Sequence, residues 1–256
     1  MNNLLSEDKI RAYAKGDYLI TIADSVTSTN TILKEQARKG APHGTVLIAK
    51  EQTAGRGRLG RSFYSPDSSG LYMSVVLRLD CDNVFSELIT PAAAVAVVRA
   101  LISQGVKNPG IKWVNDIYCD EKKICGILTE VEFSALTSTP EFFNVGIGIN
   151  LDTKIFPDDI KDIAGSAFKN SDFDINLLSA HILDNLLSLC ETADPKSFLS
   201  EYKNLSILNN RKVSLISAGK ITPALVIGID DSFRLVVKFP DDSISHINTG
   251  EVSIKF

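Results

Sequence analysis

A cationic, glycine-rich segment set between two apolar strands constrains this chain more than any other feature. Thr45 to Ala49 (TVLIA) and Leu71 to Leu79 (LYMSVVLRL) read as buried strands leading into it and out of it. Between them, Gln52 to Ser65 runs QTAGRGRLGRSFYS, interleaving Gly55, Gly57 and Gly60 with Arg56, Arg58 and Arg61. Glycine lets main-chain N–H groups approach an anion closely, and each guanidinium can grip two oxygens at once. The bland alternative is a solvated surface loop. Anchorage on two core strands instead puts the segment where rigid scaffolds carry binding loops.

Bulk properties narrow the ligand. A chain of 256 residues suits one large domain plus a small one, and its 23% charged and 44% hydrophobic fractions are ordinary for a globular protein. Its net charge of −4 argues against a general nucleic-acid binder, so the arginines serve a local ligand. Cys81, Cys119, Cys125 and Cys190 have no C-x-x-C spacing and lie in apolar runs, as expected of reduced thiols in a cytoplasmic protein. Glu7 and Asp8 stand where a signal peptide needs an apolar core. The apolar stretch Pro91 to Ile102, interrupted by Arg99, is too short to cross a membrane and reads as a buried helix. His43, His181 and His246 are scattered, which gives a structural metal site or a Ser-His-Asp site no support.

In chain order, a polar lead-in precedes a strand at Tyr18 to Ala23. Ser28, Thr29 and Asn30 then open a helix that Gly40 stops; such residues are helix caps, or donors facing a ligand. An Ala-rich helix spans about Glu87 to Ser103. The pattern at Ile111 to Tyr118 predicts a strand broken at Asn115-Asp116, with Lys122-Lys123 in a tight turn before a strand at Ile124 to Val131. Phe142 to Leu151 is a strand carrying Gly146 and Gly148, which mark either a bulge or the close approach of a ligand. A helical or turn region at Pro157 to Ala167 precedes helices at Asp174 to Glu191 and Pro195 to Asn204. Beyond the boundary at Asn209-Asn210, short strands separated by Ser217-Ala218-Gly219, Asp230-Asp231, Asp241-Asp242 and Thr249-Gly250 predict a small antiparallel barrel. The fold class expected is therefore α/β (α+β), a mixed central sheet with flanking helices in residues 1–209 and a β-barrel in 210–256.

Several of these stretches together resemble the biotin–protein ligases. Gln52 to Arg61 resembles their GRGRxGR signature, Lys112-Trp113-Val114-Asn115-Asp116 their KWPND, Gly126-Ile127-Leu128-Thr129-Glu130 their GIL-x-E, and Gly146-Ile147-Gly148-Ile149-Asn150 their GIGIN. Ser28-Thr29-Asn30 is similar to their STN, and the terminal strands with Thr249-Gly250-Glu251-Val252 to their SH3-like domain. The order and spacing agree over roughly residues 18–256. Two positions depart: Val114 replaces the usual proline, and Phe63 stands where many members have tryptophan.

The resemblance implies a lipoate/biotin ligase-like fold and an enzyme that joins biotin to ATP as biotinyl-5′-AMP. The biotinyl group then passes to one lysine of a carboxylase's biotin carboxyl carrier domain. It implies that Ser28, Thr29, Asn30, Gln52, Gly55, Arg56, Gly57, Arg58, Lys123, Gly126, Gly146 and Gly148 hold biotin, the tail lying between Trp113 and the glycine-bearing strand. It assigns Arg58, Arg61, Phe63, Lys112, Asn115 and Asn150 to ATP, with Mg²⁺ arriving on the nucleotide. Lys112, Asp116, Arg58 and Lys123 would be catalytic, Asp116 as base for the incoming lysine. A homodimer paired through a sheet edge is also implied. Lipoate or octanoate ligation on the same scaffold is the nearest rival. A DNA-binding repressor is disfavoured by the short, non-basic N-terminus, so no DNA partner is expected.

Overall fold

The computed structural model describes residues 4–80, 87–170, 172–192, 194, 196–217, 220–248 and 250–254. Its elements in order are α1 (Glu7–Tyr13), β1 (Leu19–Val26), α2 (Thr29–Arg38), β2 (Thr45–Gln52), β3 (Gly70–Leu77), α3 (Ile89–Ser103), β4 (Gly110–Lys112), β5 (Asp116–Cys119), β6 (Lys122–Phe133), β7 (Pro140–Asn150), α4 (Ile175–Cys190), α5 (Leu199–Leu205), β8 (Lys212–Ser217), β9 (Lys220–Ile229), β10 (Leu235–Lys238), β11 (Ile244–Ile247) and β12 (Glu251–Ser253). The expectations for Cys81, Pro195, Ala218-Gly219, Thr249 and Lys255-Phe256 fall outside the described residues. No described helix is long and apolar enough to cross a membrane.

β1 to β7 form one mixed sheet in the order β1-β2-β3-β7-β6-β5-β4, and β8 to β12 an antiparallel sheet in the order β11-β10-β9-β8-β12. Within the large sheet only β1 and β2 run parallel, joined through α2; the other neighbours are antiparallel. The mixed central sheet with flanking helices and the terminal antiparallel sheet are as the sequence predicts.

Side-chain alternation divides the large sheet into two unlike faces. One carries Val46, Ile48, Met73, Val75, Ile127, Val145 and Ile147, all buried in a core shared with α3 and α4. α3 is buried on nearly every side because Ala and Val let it pack between the sheet and α4. The opposite face is only partly covered, by α2, whose Leu33 and Ala37 meet Leu47, Val76 and Phe142. Beyond the N-terminus of α2, that face is left for the site.

Two local readings differ from expectation. The break near Lys112 falls at Trp113 to Asn115, so Asp116 begins β5 rather than ending a strand. Lys122 and Lys123 belong to β6, because Asp120 and Glu121, both with positive φ, make the tight turn themselves. Within 157–167, expected as helix or turn, residues 158–163 form turns. The Trp113–Val114 peptide is cis although no proline is present.

The two sheets are tied together at the site: Trp113 Nε1 donates to Phe233 O at 2.9 Å. Within the small sheet Asp230 is the main polar anchor. It accepts from the backbone N–H of Ser232 and Arg234 at 2.9 and 3.0 Å, from Arg234 Nε at 2.8 Å, and from His246 Nδ1 at 2.7 Å.

Candidate active site

Strand register builds the floor of the site. Lys112 pairs with Asp116, Asp116 with Gly126, Gly126 with Gly148, and Gly148 with Tyr72, so one row of residues crosses five strands on the open face. The next row sets Leu128 beside Gly146 and Ser74, and the third sets Glu130 beside Asn144 and Val76. Lys123 is three residues from Gly126 and would ordinarily point to the other face. The register shift between Ile117 and Tyr118 re-aims it, and its Nζ lies 3.2 Å from where a Cβ on Gly126 would be.

The glycines are required by close neighbours. A Cβ on Gly146 would lie 2.7 Å from Asn30 Oδ1, and one on Gly148 2.6 Å from the Phe63 ring. Pairing through both positions is regular, which removes the bulge reading. The space over Gly148, expected to hold the tail of a ligand, is filled by Phe63.

The Arg/Gly segment forms the roof. Phe63 N–H donates to Gly55 O at 2.9 Å and Gly57 N–H to Arg61 O at 2.7 Å, zipping its neck. Leu59 and Gly60, with φ of 56° and 76°, turn the tip, and Leu59 projects into solvent. Gly55 is held against the Phe63 carbonyl. Arg58 Nη1 donates to Asn115 Oδ1 at 2.9 Å, tying roof to wall.

Ser28, Thr29 and Asn30 are buried, and only Ser28 caps the helix through its side chain, accepting from Thr31 N at 3.4 Å. Thr29 N–H and Oγ1 both reach Gln52 Oε1, at 2.9 and 3.1 Å, and Ser74 Oγ donates to Thr29 Oγ1 at 2.9 Å. Gln52 Nε2 donates to Ser65 Oγ at 2.9 Å. Asn30 Oδ1 accepts from Asn144 Nδ2 at 2.8 Å, while Asn30 Nδ2 donates to Glu130 Oε2 at the same distance. These residues are pre-organised by one another before any ligand arrives.

Together these elements enclose a cavity of about 150 Å³ lined by almost all the expected residues: Ser28, Thr29, Asn30, Gln52, Arg56, Gly57, Arg58, Arg61, Phe63, Lys112, Asn115, Asp116, Lys123, Gly126, Gly146 and Gly148. Gly55 and Asn150 are the two that do not line it. Asn150 is buried, donating through Nδ2 to Gly165 O at 3.1 Å, and its Oδ1 has no partner among the described residues. Five cations (Arg56, Arg58, Arg61, Lys112 and Lys123) face a single lining carboxylate, Asp116, in a chain that is acidic overall. Such a site attracts polyanions. Lys112 Nζ lies 5.5 Å above the Tyr118 ring, whose hydroxyl is pushed up to about 12 by burial and by the Asp116 carboxylate. The sequence reading missed Ser65, Ser74, Asn144 and the role of Glu130, and did not anticipate that Gly250 and Val252 of the small sheet would line the cavity. Among the described residues no group of three or more His, Cys, Asp or Glu is placed to hold a metal ion. None of the three histidines lines the cavity.

The sequence model of the biotin/lipoate A/B protein ligase family matches residues 22–150, which contain this floor and roof. The bifunctional ligase/repressor BirA of Bacillus spizizenii is 32% identical over 263 aligned positions, covering 98% of this chain and 79% of that protein. This chain belongs to the biotin/lipoate A/B protein ligase family. The biotin–[acetyl-CoA-carboxylase] ligase of Mycobacterium tuberculosis is 33% identical over 149 positions, 56% of this chain and 53% of that one. Among solved structures, the biotin protein ligase of Aquifex aeolicus in complex with biotin and ATP superposes with a TM-score of 0.74 at 28% identity. That match covers 91% of this chain and 97% of the other. The segments that resemble the family's motifs thus supply most of the residues that meet across the cavity.

Proposed function

We propose that this chain is an ATP-dependent biotin–protein ligase. The observation that carries the reading is the convergence of five cations on one small cavity, floored by strand glycines and roofed by the Arg/Gly segment. Two anions, a carboxylate and a triphosphate, must be brought together there, and cations offset their repulsion and the charge of the in-line transition state. The curated relatives and the Aquifex structure, whose ligands are biotin and ATP, support the substrate assignment.

In the first step a carboxylate oxygen of biotin attacks the α-phosphorus of ATP and pyrophosphate leaves. Lys123 and Lys112 hold the carboxylate and the α-phosphate, with Arg58 and Arg61 over the phosphates. Ser28, Thr29, Gln52 and the main chain of Arg56 and Gly57 receive the ureido head. Mg²⁺ brought by the nucleotide would supply charge neutralisation; the single lining carboxylate makes no protein cage, and the side-chain oxygens of Asn115 on the wall and of Asn150, buried outside the lining, would be the available protein donors. In the second step the ε-amine of the carrier lysine attacks the acyl carbon, AMP leaves, and Asp116 takes the amine proton. Residues 1–209 supply this chemistry, and 210–256 close one side.

Biotin-dependent ATP–pyrophosphate exchange tests the first step. Wild-type protein should exchange with biotin and not with lipoate, and Lys112→Gln should lose most of the exchange, on the order of 10²-fold. Near-normal exchange in the variant would remove Lys112 from the α-phosphate, and exchange with lipoate alone would overturn the biotin assignment.

A further inference from the structure

Glu130 belongs to none of the roles above, yet three side chains, two from α2 and one from the Arg/Gly roof, meet on its carboxylate. Oε2 accepts from Asn30 Nδ2 at 2.8 Å and from Arg56 Nη1 at 3.3 Å, and Oε1 accepts from Lys34 Nζ at 3.1 Å. The side chain is 18% exposed, so its carboxylate is largely removed from water among these donors. Its three donors satisfy it, and it in turn fixes them.

We propose that Glu130 is a positioning residue that sets the closed state of the Arg/Gly roof. Arg56 is the first residue beyond Gly55 in the neck, and it bridges Ser62 on the returning arm. Holding its guanidinium at Glu130 anchors the neck above the N-terminus of α2. The same carboxylate orients the Asn30 amide, whose Oδ1 faces Asn144 and Ser74. Lys34 sits farther along α2 and touches no part of the roof, so it neutralises Glu130 without controlling closure. Loss of the charge at Glu130 therefore frees the roof while the helix stays seated on the sheet. As applied to adenylate retention, the inference rests on the ligase reading; as applied to the roof it does not.

Glu130→Gln is the informative variant because a glutamine oxygen can still accept from Asn30 while the charge that holds Arg56 is gone. Trypsin acting on the full chain without ligand should cut after Arg58 and Arg61 about tenfold faster than in wild type, in the regime where cleavage follows the open population. Lys34→Met should leave that rate within about twofold of wild type, since it does not touch the roof. With biotin and Mg-ATP, release of biotinyl-5′-AMP from Glu130→Gln should quicken by a similar factor, and Arg56→Met should match it without adding to it in the double variant. Unchanged cleavage in Glu130→Gln at an unchanged melting temperature would overturn the proposal, as would equal acceleration by Lys34→Met. Failure of the wild type to form any adenylate would refute the ligase reading instead, and the proteolysis comparison would still decide the role of Glu130.

Discussion

Lys123 Nζ lies 2.6 Å from Asp116 Oδ1 on the wall of the cavity, and Asn115 Nδ2 donates to the same oxygen at 3.2 Å. A carboxylate ligand must therefore take Lys123 from Asp116, and in doing so it releases Asp116 toward the acceptor. Asp116→Asn removes the competitor. It is expected to tighten biotin binding without ATP by about threefold to tenfold, the scale of one charge-assisted hydrogen bond. Transfer to the carrier lysine should slow by about 10²-fold because the base is lost. Titration calorimetry and single-turnover transfer separate the two effects, and weaker biotin binding in the variant would contradict the exchange.

Arg58 ties the roof to Asn115 across the cavity mouth. Arg58→Ala is expected to fold normally and to lose the adenylate to solvent on the order of tenfold faster, since a closed roof retains a reactive intermediate by excluding water. A single-turnover trap measures this. Unchanged retention would show that the Arg58–Asn115 bond does not hold the roof.

The small sheet carries an acid-sensitive anchor. Burial opposes ionisation of Asp230, but hydrogen bonds from His246, from the backbone of Arg234 and Ser232 and from the Arg234 side chain hold its carboxyl at about 2, against 3.8 in the unfolded chain. A depressed carboxyl stabilises the fold above the unfolded value, and that contribution fades as pH falls from 3.8 through about 2. Asp230→Asn should cost about 1 kcal/mol near neutral pH, solvent screening allowed for, with the gap to wild type narrowing below about pH 3. Denaturant titrations across that range check it; a gap that stays constant down to about pH 2 would contradict the account.

Most of the fold was legible because its signals are local. The flanking strands of the Arg/Gly segment, the Ala-rich helix and the short strands of the small sheet each announce themselves within a dozen residues. Much of the site was legible through motifs, since Lys112, Asn115, Asp116, Lys123, Gly126, Gly146 and Gly148 do line one cavity. What escaped depends on partners far apart in sequence. Glu130 meets Arg56, Lys34 and Asn30 across 74, 96 and 100 positions, and no local pattern encodes that meeting. Gly146 leaves room for Asn30, and Phe63 lies over Gly148, where the resemblance set the tail of biotin. Lys123 reaches the site face only through a register shift, which alternation within β6 does not reveal.

The most direct test incubates the full chain with biotin, Mg-ATP and a biotin carboxyl carrier domain, then weighs the carrier by mass spectrometry. The account predicts a gain of one biotinyl group, on a single lysine, that depends on both biotin and ATP. A carrier of unchanged mass, or one modified only when lipoate replaces biotin, would contradict it.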